Sequence, residues 1–144
     1  MLPPSPSGTT NNRLLLQLDE AERVNVLDQS ILMPMQTGQL LEEIDQPVQY
    51  VYFPDSGLSS LVSVLGDGKM TEAACIGIDG FIGSSLLLRS RHRTTRMIWQ
   101  VPGAAHAIPA GVFSDLLRKV TGILRICELA DQEMMQLQRV FTRR

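Results

Sequence analysis

The chain has 144 residues, of which 44% are hydrophobic, 19% charged and 5% aromatic; this is enough apolar material for one globular domain and too little charge for a disordered chain. The net charge of −2 hides an asymmetry, because residues 1–79 hold three basic and eleven acidic residues while 80–144 hold ten basic and four acidic, so any anion binding belongs to the second half. An isoelectric point near 5.6 excludes a dedicated nucleic-acid-binding module, whose basic face usually lifts the value above about 9.

Residues 1–12 are rich in Pro, Ser, Gly, Thr and Asn and read as a flexible lead-in without the basic and apolar parts of an export signal. No apolar run approaches the ~18 residues that cross a bilayer, so no membrane partner is expected. Two cysteines far apart in sequence, Cys75 and Cys127, make no disulfide framework and point to a cytoplasmic protein. Both are expected to pack as small apolar groups.

One folded unit of N-terminal helices and a β-roll is expected over residues 13–109. From Asn12 to Leu27 the apolar positions Leu14, Leu15, Leu18, Val24 and Leu27 recur at helical spacing, and Asp19-Glu-Ala-Glu22 suits a fresh helical N-terminus. After Ser30 the pattern becomes about seven short strand-like runs: 31–35, 39–42, 48–53, 58–65, 69–76, 97–101 and 105–108. Turn signals divide them, among them Pro54-Asp-Ser-Gly57 and Pro102-Gly103. Leu65-Gly-Asp-Gly-Lys69 predicts a tight hairpin. Strands at this spacing without intervening helices exclude a doubly wound parallel sheet and predict a jelly-roll-like antiparallel β-roll.

Residues 110–144 return to helical spacing. Phe113, Leu116, Leu117 and Val120 mark a short helix that ends in a bend at Thr121-Gly122. In the helix that follows, Ile123, Cys127, Ala130, Met134, Leu137 and Phe141 form a heptad seam, which predicts a homodimer; because the seam lasts under three heptads, the other reading is a surface helix packed wholly on its own domain. Leu124 and Ile126 broaden the apolar face of its early turns, so the first half is expected to lie on the barrel and the second half to meet the partner.

An N-terminal helix, a β-roll, a short helix and a long heptad helix, in that order, resemble the sensor domain of Crp/Fnr-type transcription regulators. The residues that carry the resemblance are Tyr50-Val-Tyr-Phe-Pro-Asp-Ser-Gly57, Ser60-Leu-Val-Ser-Val-Leu-Gly-Asp-Gly68, Ile76-Gly-Ile-Asp-Gly-Phe-Ile-Gly83 and Gln100-Val-Pro-Gly103. The similarity runs from Asn12 to Phe141 and implies a mainly β fold of the cyclic-nucleotide-binding type, a double-stranded β-helix with flanking α-helices. It implies ligand binding by Gly83, Ser84, Ser85, Leu86, Arg93 and Thr94, where backbone N–H groups and one arginine would face a phosphate. Where the family places the glutamate that accepts the ribose hydroxyl, this chain has Ser84. The resemblance therefore implies a cyclic nucleotide or another small anion as ligand, with ordinary cAMP binding weakened. DNA would be engaged only through a winged helix-turn-helix domain that this chain lacks. The other reading is a stand-alone interaction module that does not bind DNA.

Catalysis is not expected. With only His92 and His106, the chain lacks the three-histidine metal site of jelly-roll enzymes, and two cysteines are too few for an iron–sulfur cluster. His106 reads as a strand residue. Extended backbone over Arg89 to Arg96 would put Arg89, Arg91 and Arg93 on one side and Arg96 on the other.

Overall fold

A computed structural model describes residues 9–64, 66–88 and 95–130. The chain opens with a 3-10 turn at Leu15–Gln17, followed by α1 (Glu20–Asp28). Asp19 caps α1 as its sequence suggests, its side chain accepting from the Glu22 N–H at 2.8 Å. Then come β1 (Ile31–Met35), β2 (Leu40–Glu42), β3 (Tyr50–Val64), β4 (Met70–Ile76), α2 (Ser85–Leu88), β5 (Thr95–Pro109) and α3 (Ala110–Lys119). Residues 121–130 are again helical and are termed α4. The bend between α3 and α4 falls at Val120, next to the expected Thr121-Gly122.

All strand pairs are antiparallel, in the order β1-β5-β3-β4, with β2 also on β5. The hairpin expected at 65–69 joins β3 to β4, with Val64 opposite Met70 and the Asp67 side chain accepting from the Lys69 N–H. The sheet thus agrees with the antiparallel β-roll read from the sequence. The strand count differs: five strands replace the seven short runs, because β3 and β5 are each 15 residues long and pass straight through two of the expected turns.

Those two turn signals face one another. The β3–β5 register slips repeatedly between Pro54 and Ser59, and the bulges take up the Pro-Asp-Ser-Gly run without ending the strand. Gly57 lies in the left-handed region at φ +85°, where a Cβ would strike the Val101 carbonyl, and a Cβ on Gly103 would strike the Ser56 carbonyl and lie 2.7 Å from the Gly57 nitrogen. Two backbones this close leave no room for side chains. The glycines mark a bent crossing of two long strands, and sequence punctuation alone could not separate that from a pair of turns.

Strand alternation sends side chains to two cores. Tyr52, Leu61, Ala74, Ile76, Met97, Trp99, Ala105 and Ala107 fill the inside of the roll together with Met35 and Ile82. Val51, Phe53 and Ile108 point the other way, toward Leu14, Leu15, Leu18, Val26, Phe113, Leu116, Ile123, Ile126 and Cys127 of the helical segments.

The lead-in expected over 1–12 is corrected at its last residues. Asn12 is fully buried. Its Nδ2 donates to the carbonyls of Pro54 and Gly80, each at 2.9 Å, while its Oδ1 accepts from the N–H groups of Leu14 and Leu15. This Asx turn starts the first helical turn and fastens the N-terminal segment to the roll. Thr10 Oγ1 and the Asn11 N–H both donate to Asp55 Oδ1.

Gly103→Ala is expected to lower stability by about 1–3 kcal/mol, because backbone rather than a yielding side chain stands in the way. Gly111→Ala, on open helix surface, is expected to raise it by up to about 1 kcal/mol. Urea unfolding of both variants checks the contrast.

Candidate ligand-binding site

The segment that the resemblance marks as ligand-binding follows β4. An isolated antiparallel bridge holds it to the roll, with Tyr52 and Ile82 exchanging both backbone hydrogen bonds at 2.9 Å. Phe81 stacks on Phe53 with ring centroids 5.9 Å apart. Ile82 turns into the roll and Phe81 toward the helices, so consecutive side chains bind the segment to both cores.

Gly83 then adopts φ +126°, and a Cβ there would lie 2.8 Å from Val51 Cγ2 and 3.3 Å from Val51 Cα. Only glycine meets the backbone angle and the clearance together. The chain reverses into α2, with the Leu86 N–H donating to the Gly83 carbonyl and the Leu87 N–H to the Ser84 carbonyl. Leu86 and Leu87 pack on the helical core, while Ser84 and Ser85 are half-buried. Gly83, Ser84, Ser85 and Leu86 are therefore consecutive residues of one tight turn. Arg93 and Thr94 lie outside the described residues.

Arg96, the last arginine of the cluster, is committed elsewhere. Its Nε donates to Glu43 Oε1 at 2.5 Å and its Nη1 to Met70 Sδ, while its neighbours Met97 and Trp99 face the interior of the roll. The Arg96 hydrogen bond, followed by one from the Ile44 N–H, holds the Glu43 carboxyl below its ordinary range.

Cys127 is buried as expected, but Cys75 is exposed. Its thiol donates to Glu72 Oε1 at 2.7 Å, the same oxygen that accepts from Ser60 Oγ. Those two bonds lower the Glu72 carboxyl, and the carboxylate in turn raises the thiol, with burial adding to the effect. A thiol held protonated is a poor nucleophile.

The described part of the last helix packs on the chain itself, as expected of its first half. Ile123 and Cys127 are fully buried in the chain's own core, and Ala130 is half-buried and packed against it. The cause lies at the bend: the Gly122 N–H donates to Glu22 Oε2 at 3.2 Å, and Leu18 lies against Gly122, so α4 starts pressed onto the N-terminal helices. Leu124 and Leu129 are exposed instead. Met134, Leu137 and Phe141 lie outside the described residues.

The arrangement has counterparts among solved structures. The regulator CLP of Xanthomonas campestris, described as responsive to c-di-GMP, superposes with a TM-score of 0.72 at 16% identity, over 84% of this chain and 61% of its own. The catabolite activator protein of Thermus thermophilus gives 0.70 at 18% identity, over 90% of this chain and 60% of its own. The sensor domain of the transcriptional regulator DNR from Pseudomonas aeruginosa gives 0.63 at 16% identity, over 88% of this chain and 85% of its own.

The chain has the sensor-domain fold of Crp/Fnr-type regulators. It spans about three fifths of the length of the two full regulators and most of the isolated sensor domain. No protein-family model and no curated protein matches the sequence. Among the described residues, no helix is long and apolar enough to cross a membrane.

Gly83 is the residue at which the candidate turn reverses. Gly83→Ala is expected to cost about 1–3 kcal/mol and to loosen residues 81–88 while the β3–β4 hairpin stays intact. Chemical denaturation and amide exchange of the two segments measure both effects.

Proposed function

We propose that this chain is the ligand-sensing and dimerisation domain of a Crp/Fnr-like transcription regulator, acting in the cytoplasm and not as an enzyme. The observation that carries this reading is the fold match itself, which covers 85% of a solved regulator sensor domain but about three fifths of the full regulators. In such a regulator DNA is engaged by a separate domain, which suits the acidic balance of this one.

The ligand segment on this reading is Gly83 to Thr94. Gly83, Ser84, Ser85 and Leu86 offer backbone groups and short hydroxyls in a fixed turn, and Arg93 with Thr94 supplies charge complementarity for a small anion. The cassette is degenerate at Ser84. A hydroxyl in place of a carboxylate loses a charge-assisted hydrogen bond, typically worth about 1.5–3 kcal/mol, or roughly 10–150-fold in affinity. Ordinary cAMP sensing is therefore not its task.

Dimerisation on this reading uses the distal part of the last helix, where Met134, Leu137 and Phe141 continue the seam beyond the turns that Ile123 and Cys127 bury at home. Ligand binding would act by shifting the population between two arrangements of the dimer.

Thermal unfolding with cAMP, cGMP and cyclic dinucleotides at millimolar concentration tests the ligand. A ligand at 100 times its dissociation constant adds about 2.7 kcal/mol, a rise of several degrees in Tm. cAMP is expected to leave the midpoint unchanged, and a rise with any other member of the panel is expected to vanish in Arg93→Ala. A clear rise with cAMP refutes the degenerate reading of the cassette. Sedimentation is expected to find a dimer at micromolar concentration and a monomer in Leu137→Asp; a monomeric parent removes the mechanical basis of the regulator.

A further inference from the structure

Residues 12–22 make polar contacts at two separate places in the fold. At one end the Arg13 N–H donates to the Ile78 carbonyl at 2.7 Å, and Asn12 Nδ2 donates to the Gly80 carbonyl at 2.9 Å. Arg13 also pairs with Asp79 at 3.2 Å, but both side chains are largely exposed and that pair adds little. Ile78, Asp79 and Gly80 lead straight into Phe81, Ile82 and the reversal at Gly83. At the other end Glu22 Oε2 accepts from the Gly122 N–H at 3.2 Å. That N–H lies in the first turn of α4, where no intrahelical carbonyl serves it, and a carboxylate suits the positive end of a helix.

Between its ends the segment is hydrogen-bonded throughout. The Asn12 side chain accepts from the Leu14 and Leu15 N–H groups and its carbonyl from Leu16. Gln17 and Leu18 donate to the Leu14 and Leu15 carbonyls, and Asp19 accepts from Glu22 through its side chain and from Arg23 through its carbonyl. The Arg23 guanidinium bridges the two halves by donating to the Leu18 carbonyl at 3.2 Å.

We propose that residues 12–22 form a tie-bar between the Gly83 turn and the start of α4: a displacement at either end is carried to the other through Asn12, Arg13 and Glu22. Hydrogen-bonded chains and stiff elements are what carry coupling between separate sites, and the coupling is reciprocal, so loosening the α4 end loosens the turn end. Its use in sensing rests on the turn being the ligand site and the last helix the dimer contact; the tie itself needs neither. A parallel route runs through apolar packing, because Phe81, Leu86 and Leu87 also lie on the helical core. The two routes leave different marks. The tie-bar moves Arg13, Leu14, Leu15 and Gly80, whereas packing moves Leu86 and Leu87 and bypasses the N-terminal segment.

Amide exchange of the whole chain without added ligand tests it, through substitutions at the half-buried Glu22. Glu22→Ala removes the acceptor for Gly122 and is expected to speed exchange about two- to fivefold at Arg13, Leu14, Leu15 and Gly80, with the β3–β4 hairpin unchanged. Glu22→Gln keeps an acceptor and is expected to retain most of the parent protection. In an Asn12→Ala background, with the bond to Gly80 already gone, Glu22→Ala is expected to change Gly80 by less. The tie-bar is overturned by a response confined to residues 19–23 and 121–123, by one at Leu86 and Leu87 that skips Arg13 to Leu15, or by a uniform rise. Equal loss in Glu22→Gln, or an undiminished change at Gly80 in the Asn12→Ala background, overturns it as well. Should Asn12→Ala fail to fold, Gly83→Ala reads the coupling in reverse: faster exchange at Arg13 to Leu15 and at Gly122 is expected, and parent values there refute the proposal equally.

Discussion

The close crossing of β3 and β5 is the constraint on which the rest of the structure depends. Two 15-residue antiparallel strands bend where Gly57 and Gly103 remove every Cβ from between their backbones. The bend lets one pair of strands line the inside of the roll along one stretch and present Val51, Phe53 and Ile108 to the helices along another. β1 and β2 need no frame of their own. They run in sequence along the free edge of β5, with the Gly38 N–H and the Gln39 carbonyl bonded to Trp99 between them.

The same crossing creates a demand for polar partners. The ladder is irregular at Pro54 to Ser59, and burial makes an unpaired Pro54 carbonyl costly there. Asn12 meets that demand, and Thr10, Asn11 and His106 bond the Asp55 side chain beside it. The N-terminal segment is thereby ordered by the roll, and the helical core assembles on it: Leu14, Leu15 and Leu18 follow directly, and Leu18 and Glu22 receive the start of α4 at Gly122. The candidate ligand turn hangs between the two, bonded to Tyr52 on one side and tied through Gly80 to Asn12 on the other. The N-terminal segment thus contacts both the residues before that turn and the start of the last helix.

Most of the fold was legible in the sequence, whereas the candidate site was named there through the family resemblance. The Asp67-Gly68 hairpin, the Asp19 cap and the helical stretches before and after the strands announce themselves because each is fixed by residues within a turn or two of one another. Gly83 entered as a candidate through its match to the family's glycine. The short turn around it is local, and the resemblance to a family cassette rested on neighbouring residues.

What the sequence by itself determined is thus the local grammar: antiparallel strands rather than a parallel sheet, the Asp67-Gly68 hairpin, and the bend before the last helix. Only the tertiary structure decided that Pro54 to Gly57 and Pro102-Gly103 are one crossing instead of two turns, that Asn12 is a core residue, and that Gly122 at the start of the last helix meets Glu22. The physical reason is common to all three. Each depends on a partner between about 40 and 100 residues away, and a residue's own chemistry states which contacts it can make without stating which distant segment will supply them.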